Sequence, residues 1–217
     1  MAIRFPGIQW MPLPVGQSFS NCSINWNLQI LYRCAILAKV STEEGTGMEY
    51  NDIYDIDRNL TGRVHQRGRR WKKGEYGLVV CVWVHDGKGN LLLTRRAPEK
   101  TFPGTWENSG GAAKAGETSL QAIVRELREE TGIEAKSENF ELLDTGRDGN
   151  THYDYYCLLA PVPIEEIVLL PGETDDAKWV SFAQVHQMIE EKKICRIIAR
   201  QFRRQEKDLL ARQSVPV

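Results

Sequence analysis

The chain has 217 residues, of which 41% are hydrophobic and 26% charged, with 18 Gly and 9 Pro; these are globular proportions that exclude wholesale disorder, collagen and low-complexity readings. Lys and Arg total 28 against 29 Asp and Glu, a formal net charge of −1, which argues against a nucleic-acid polymer held through bulk charge. No apolar run reaches the roughly 18 residues of a membrane span, and five scattered cysteines without a Cys-x-x-Cys spacing suggest neither a zinc clip nor a disulfide framework, so a reduced, cytoplasmic compartment is expected.

Residues 1–47 carry five charged residues, against 52 in the remaining 170. The composition therefore breaks near Met48. The segment holds Pro6, Pro12 and Pro14, shows no clear period, and lacks the basic start, apolar core and small-residue cleavage site of a signal peptide. Two readings stay open. It is an arm packed on or lying beside the domain, or the native protein starts at Met48. In the second case Glu43-Glu44-Gly45 is what a purine-rich ribosome-binding tract would encode. The domain itself is assigned to residues 48–217.

From Met48 onward, Tyr50–Asp55 alternates weakly and predicts a short strand, with a turn at Asn59–Gly62. Arg63–Lys73 is a basic run, read as a solvated loop, with a polyanion contact as the rarer use. Gly77–His85 is a continuous apolar, β-branched run, the pattern of a strand buried on both faces. The turn Asp86–Asn90 and the run Leu91–Arg95 then predict a hairpin. After Gly116 the period becomes helical, with Leu120, Ile123, Val124 and Leu127 at i, i+3, i+4 and i+7. Thr118 with Gln121 predicts a capping box, and Gly132 a helix end. Phe140–Thr145, Tyr153–Leu159 and Lys178–Ser181 predict strands; Phe182–Lys192 and Ile194–Arg212 predict helices. This alternation implies an α/β fold, a mixed sheet with helices on both faces.

On the first helix Glu126, Glu129 and Glu130 stand at i, i+3 and i+4, so three carboxylates project from one face. Like charges this close repel, and a bound divalent cation removes that penalty. Oxygen-only ligands suit a hard ion, Mg²⁺ or Mn²⁺. Arg125 can pair with Glu129 at i+4 and orient it.

The stretch Gly111–Ile133 resembles the Nudix box, Gly-x5-Glu-x7-Arg-Glu-U-x-Glu-Glu-x-Gly-U with U aliphatic. Gly111, Glu117, Arg125, Glu126, Leu127, Glu129, Glu130, Gly132 and Ile133 fit it without departure. The resemblance implies the Nudix fold, an α/β/α sandwich with the box as a loop–helix–loop. It implies Glu126 and Glu130 as principal metal ligands, Glu129 as a third, and the Gly111 carbonyl in the same shell. Glu117 and Arg125 would buttress them. The implied reaction is hydrolysis of a diphosphate linked to another group, with a carboxylate taking the proton. That base is Glu126 or Glu129 in the box, or a later residue. Asp148, Asp154 and Glu173 are the later candidates, Glu173 the best of them.

The approach to the box, Arg95-Arg96 and then Phe102-Pro103-Gly104-Thr105-Trp106, resembles the isopentenyl-diphosphate isomerase branch and its bacterial hydrolase relatives. So do Asp52–Asp55 and Thr61-Gly62-Arg63. The isomerase carries a cysteine, then a metal-binding histidine, shortly after the tryptophan. Here Glu107–Ala113 supplies neither, which favours a hydrolase. A sensor of this fold that binds without catalysis usually loses box carboxylates, and all three are kept. Arg95 and Arg96 are expected to clamp substrate phosphates or to end a solvated strand. Trp106 is expected to stack on substrate or to pack in the core. Tyr153 and Tyr155 share a strand face, for a pocket or for packing. The expected partner is a small-molecule diphosphate; a homodimer would be ordinary for the fold.

Overall fold

The computed structural model describes residues 48–213, so the readings of residues 1–47 lie outside the described residues. β1 (Tyr50–Tyr54) and β2 (Leu60–Gln66) form a two-stranded antiparallel sheet. The turn between them lies at 55–59, earlier than the expected Asn59–Gly62. Its cause is the Asp55 carboxylate, which accepts from the backbone N–H of Asp57 and Asn59 at 3.0 and 2.8 Å and so closes a local turn. Thr61, Gly62 and Arg63 are thereby released into β2. The basic run thus begins in a strand and becomes a loop only after Gln66.

β3 (Gly77–His85) lies inside a seven-stranded mixed sheet. It runs parallel to β8 (Thr151–Leu159) along its whole length and antiparallel to β6 (Ser109–Ala112). β8 pairs with β7 (Glu141–Asp148). β4 (Asn90–Arg96) pairs with β5 (Trp106–Glu107) and with β9 (Thr174–Ser181). The expected β3–β4 hairpin closes only at His85↔Leu91. Beyond that pair the strands fork, because β9 takes β4 over seven positions while β6 and β8 flank β3. The chain from 106 to 112 crosses the fork, with β5 on β4 and β6 on β3. Gly110 permits the close approach, since a Cβ there would stand 2.3 Å from the Val80 carbonyl oxygen.

The two faces of β3 divide the core by residue parity. Leu78, Val80, Val82 and Val84 point to one side, and Cys81 and Trp83 to the other. The first side is covered by α1 (Ser119–Thr131) through Ala122, Ile123 and Leu127, with Leu120 and Val124 partly buried beside them. Thr118 and Gln121 complete both halves of the capping box. Gly132 ends the helix at φ 72°, its N–H donating to the Arg128 carbonyl.

The second side is covered by α2 (Phe182–Glu190) and α3 (Arg196–Gln213), each shifted by up to two residues from expectation. Lys192 adopts a left-handed φ of 57° between them. Tyr153 and Tyr155 belong to this second core, so they pack rather than line a pocket. Cys81, Cys157 and Cys195 are free and buried. The result is the α/β/α sandwich with a mixed central sheet. Among the described residues no helix is long and apolar enough to cross a membrane.

Candidate active site

With Ile123 and Leu127 buried against β3, the opposite edge of α1 presents Glu126, Glu129 and Glu130 to a cavity of about 300 Å³. The remaining wall comes from β6, β1, the 97–107 segment and the 170–173 loop. β1 holds the box loop through three hydrogen bonds. Asn51 Nδ2 donates to the Ala113 carbonyl at 2.7 Å, Ala115 N–H to the Tyr50 carbonyl at 2.8 Å, and Gly116 N–H to Asp52 Oδ2 at 2.8 Å. These bonds account for the burial of Asn51 and Asp52 in a short strand.

Arg125 organises the carboxylates. Its Nε and Nη2 grip Glu117 at 2.6 and 2.9 Å, while Nη1 reaches Glu126 at 2.9 Å and Glu129 at 3.0 Å. Burial pushes the Glu117 carboxyl up, but the Arg125 bonds and the Lys114 N–H outweigh it and hold the group below its usual range. Glu126 goes the other way, because burial raises its carboxyl more than Arg125 lowers it. Glu130 is pushed up to about 8 by burial and by the neighbouring Glu126 charge. Its one hydrogen bond is from the Gly110 N–H, at 3.2 Å.

A divalent cation fits this donor set. Glu126 and Glu130 are adjacent, half-buried carboxylates whose raised carboxyls show desolvation that Arg125 offsets only in part, and the available donors are oxygens, which suit a hard ion. Gly111 leaves the approach open; a Cβ there would stand 2.4 Å from Glu126 Oε1. Among the described residues no three acidic, histidine or cysteine side chains already converge at coordination distance. Arg125 explains this, since it draws Glu126 and Glu129 toward itself.

The structure separates the other expected site residues. Glu173 lines the cavity, paired with Lys100. Arg96 also lines it, but its Nη1 donates to both oxygens of Glu107 at 2.6 and 2.7 Å, and its Nε and Nη2 donate to Thr101. Arg95 and Trp106 do not line it. Neighbours on a strand face opposite sides, so Arg95 turns to Asp175 at 2.7 Å, away from Arg96. Trp106, paired with Arg95 across β4–β5, enters the second core with Lys178 over its ring at 4.1 Å. Neither can clamp or stack on a substrate in this cavity. Asp154 is bound by Arg58 and Ser119, and Asp148 by Arg200, both off the cavity.

Sequence reasoning missed Glu49, Asn51, Arg67, Lys100, Glu107 and Lys114, all of which line the cavity. The parity that takes Trp106 into the core also puts Glu107 on the cavity side, and that signal was available. Nothing local marks Glu49 or Lys114.

The family model described as NUDIX domain matches residues 75–202, more than half of the chain. An uncharacterized Nudix hydrolase of Listeria monocytogenes is 34% identical over 141 residues, covering 62% of this chain and 80% of the relative. An isopentenyl-diphosphate Delta-isomerase of Escherichia coli is 30% identical over 120 residues, covering 52% and 66%. Among solved structures, DR0079 from Deinococcus radiodurans superposes with a TM-score of 0.59 at 21% identity, covering 72% of this chain and 99% of that one; at that identity the likeness speaks for the fold. With the family model matched across the fold and every position of the box present, this chain belongs to the Nudix family.

Proposed function

We propose that this protein uses Mg²⁺ or Mn²⁺ to hydrolyse the diphosphate linkage of a nucleoside diphosphate joined to another group, or of a related organic diphosphate. The observation that carries the reading is the pair Glu126 and Glu130, half-buried one helical turn apart on the cavity wall, each with its carboxyl raised chiefly by desolvation. Such a pair is costly unless it holds a cation. Glu126 and Glu130 would hold it, with Glu129 and the Gly111 carbonyl beside them. When bound, the ion neutralises the diphosphate oxygens and makes a water easier to deprotonate.

The chain's own residues do the rest. Arg125 and Glu117 keep the carboxylates in register, and β1 holds the loop against them. The proton acceptor is one of the cavity carboxylates, Glu126, Glu129 or Glu173; Asp148 and Asp154 pair with arginines off the cavity. The substrate is a small molecule rather than a nucleic-acid polymer, in keeping with a cavity of about 300 Å³. A cytoplasmic setting accords with the unpaired cysteines. The functional unit is residues 48–217, with residues 1–47 an extension to it.

Isomerase chemistry finds no support in the geometry. It requires a proton donor and an acceptor on opposite faces of a double bond, and Gly110 and Gly111 leave no room for a side chain. Cys81 lies behind Gly110, but burial pushes its thiol up to about 12, inside the second core. The test is a panel of diphosphates with Mg²⁺, including isopentenyl diphosphate. Cleavage of an organic diphosphate is expected, with Glu130→Gln folded and about a hundredfold to a thousandfold slower, the range lost when a main transition-state charge stabiliser is removed. Robust formation of dimethylallyl diphosphate, or full activity of Glu130→Gln, would overturn the reading.

A further inference from the structure

Five cations line the cavity, and they differ in how fully their donors are taken. A guanidinium offers five N–H donors and an ammonium three. Arg125 is filled by Glu117, Glu126, Glu129 and the Ala112 carbonyl. Arg96 is nearly filled by Glu107 and Thr101. Lys100 bridges to Glu173. Arg67 is different. Among the described residues its guanidinium donates only to the Glu49 carboxylate, and the side chain is 59% exposed. Lys114 goes further, because its Nζ makes no hydrogen bond among the described residues and its nearest carboxylate oxygen, on Glu129, is 4.0 Å away.

These two cations share one edge of the cavity. Arg67 is fixed beside Glu49, its N–H donating to the Glu49 carbonyl at 2.8 Å. Lys114 lies between Ala113 and Ala115, both hydrogen-bonded to β1. Both therefore flank the start of β1. The Glu49 carboxyl registers them together, held below its usual range by the hydrogen bond from Arg67 and then, against burial, by the charges of Arg67 and Lys114. A divalent cation shared with the Glu126 and Glu130 carboxylates leaves most of the negative charge of a diphosphate group unbalanced. The open donors lie where a second phosphoryl group can be met, Arg67 with its planar fork and Lys114 as a point charge.

We propose that Arg67 and Lys114 form an anion subsite that binds the phosphoryl group of the substrate diphosphate farther from Glu126 and Glu130. The assignment rests on the hydrolase reading above. It gives the basic run after β2 a specific role, and it makes a variable position inside the box a determinant of substrate affinity.

The probe is imidodiphosphate, the P–N–P analogue of pyrophosphate, titrated calorimetrically with Mg²⁺ into the full chain. Arg67→Gln and Lys114→Gln should each weaken binding about tenfold and the double variant about a hundredfold, since each removes one charge-assisted contact. Arg67→Lys should recover part of the loss. Arg69→Gln, in the same basic run but off the cavity, should bind as wild type. For whichever diphosphate the panel identifies, KM should rise with kcat changed less than about threefold, the split expected when ground-state and transition-state binding fall together. Unchanged imidodiphosphate affinity in a folded double variant, or no binding by the wild type, would overturn the subsite. Failure of the hydrolase reading looks different: no diphosphate is cleaved by the wild type, whatever the affinities of these variants.

Discussion

The two faces of β3 are built by the same packing rule and do opposite work. On the α2–α3 side the contents are large rings. Trp83 meets Phe202 edge-on at 5.7 Å, Phe182 lies 5.7 Å from the same ring, and the Trp83 indole N–H is satisfied by Gln205 at 2.8 Å. On the α1 side the apolar layer of Ile123 and Leu127 ends at a belt of carboxylates and cations, with Glu126 and Glu130 desolvated. Apolar burial dominates on the α2–α3 side. The α1 side must be held against its own charge, which is the task of the Arg125 network and the hydrogen bonds from β1. A site with strained electrostatics is thus backed, across one sheet, by a core that is free of that demand.

Four substitutions test how separate the two sides are. Phe202→Ala empties a fully buried ring site and should cost about 3–5 kcal/mol, read as a lower melting temperature, with KM unchanged wherever the variant is folded. A loss of affinity below the melting range would mean the faces are coupled. Gly111→Ala should do the reverse. Its Cβ would meet Glu126 Oε1 at 2.4 Å, so the carboxylate must move, and a displacement of that order costs about a hundredfold in kcat, with the melting temperature near wild type.

Asp154→Asn probes the seam between α1 and the β1–β2 turn, where Asp154 accepts from Arg58 at 2.5 and 2.7 Å and from Ser119. The expected loss at neutral pH is about 1–3 kcal/mol. Burial raises the Asp154 carboxyl, but the bonds from Arg58 and Ser119 outweigh it, and the group lies below its ordinary 3.8. Its contribution is therefore present above that ordinary value and lost as pH falls through the lower folded one. Melts of wild type and variant should converge in acid; a constant gap down to the lowest pH would refute the assignment. Thr118→Ala is the mildest, removing half of the α1 capping box for about 1 kcal/mol. Because β1 also holds this loop, kcat should change less than about twofold.

Which parts of the site could be read from the chain follows from how local their causes are. Glu126, Glu129, Glu130 and Arg125 lie within six residues on one helix, and 3.6-residue geometry alone brings them together. Glu117 reaches Arg125 across eight residues of the same loop–helix unit. Arg95 could clamp substrate or end a solvated strand, and Trp106 could stack or pack in the core; neither lines the cavity, because the side of a strand that faces it depends on where the sheet forks. Asn59–Gly62 was expected to turn, but β2 already begins at Leu60, because one side chain, Asp55, closes the bend earlier.

By itself the amino-acid order determined the family box, the register and caps of α1, the double burial of β3 and the sandwich of helices about a mixed sheet. All of these follow from periodicity and from contacts a few residues apart. Only the tertiary structure decided that Lys100, Glu49 and Arg67 face the box, that Arg96 is taken while Lys114 is open, and that β1 holds the box loop. Those neighbours are set by the fork of β3 and β4 and by hydrogen bonds spanning some sixty residues, from Asn51 to Ala113 and from Asp52 to Gly116. Side-chain preferences of single residues do not encode such distances; they emerge when the two sheets and α1 close on one another.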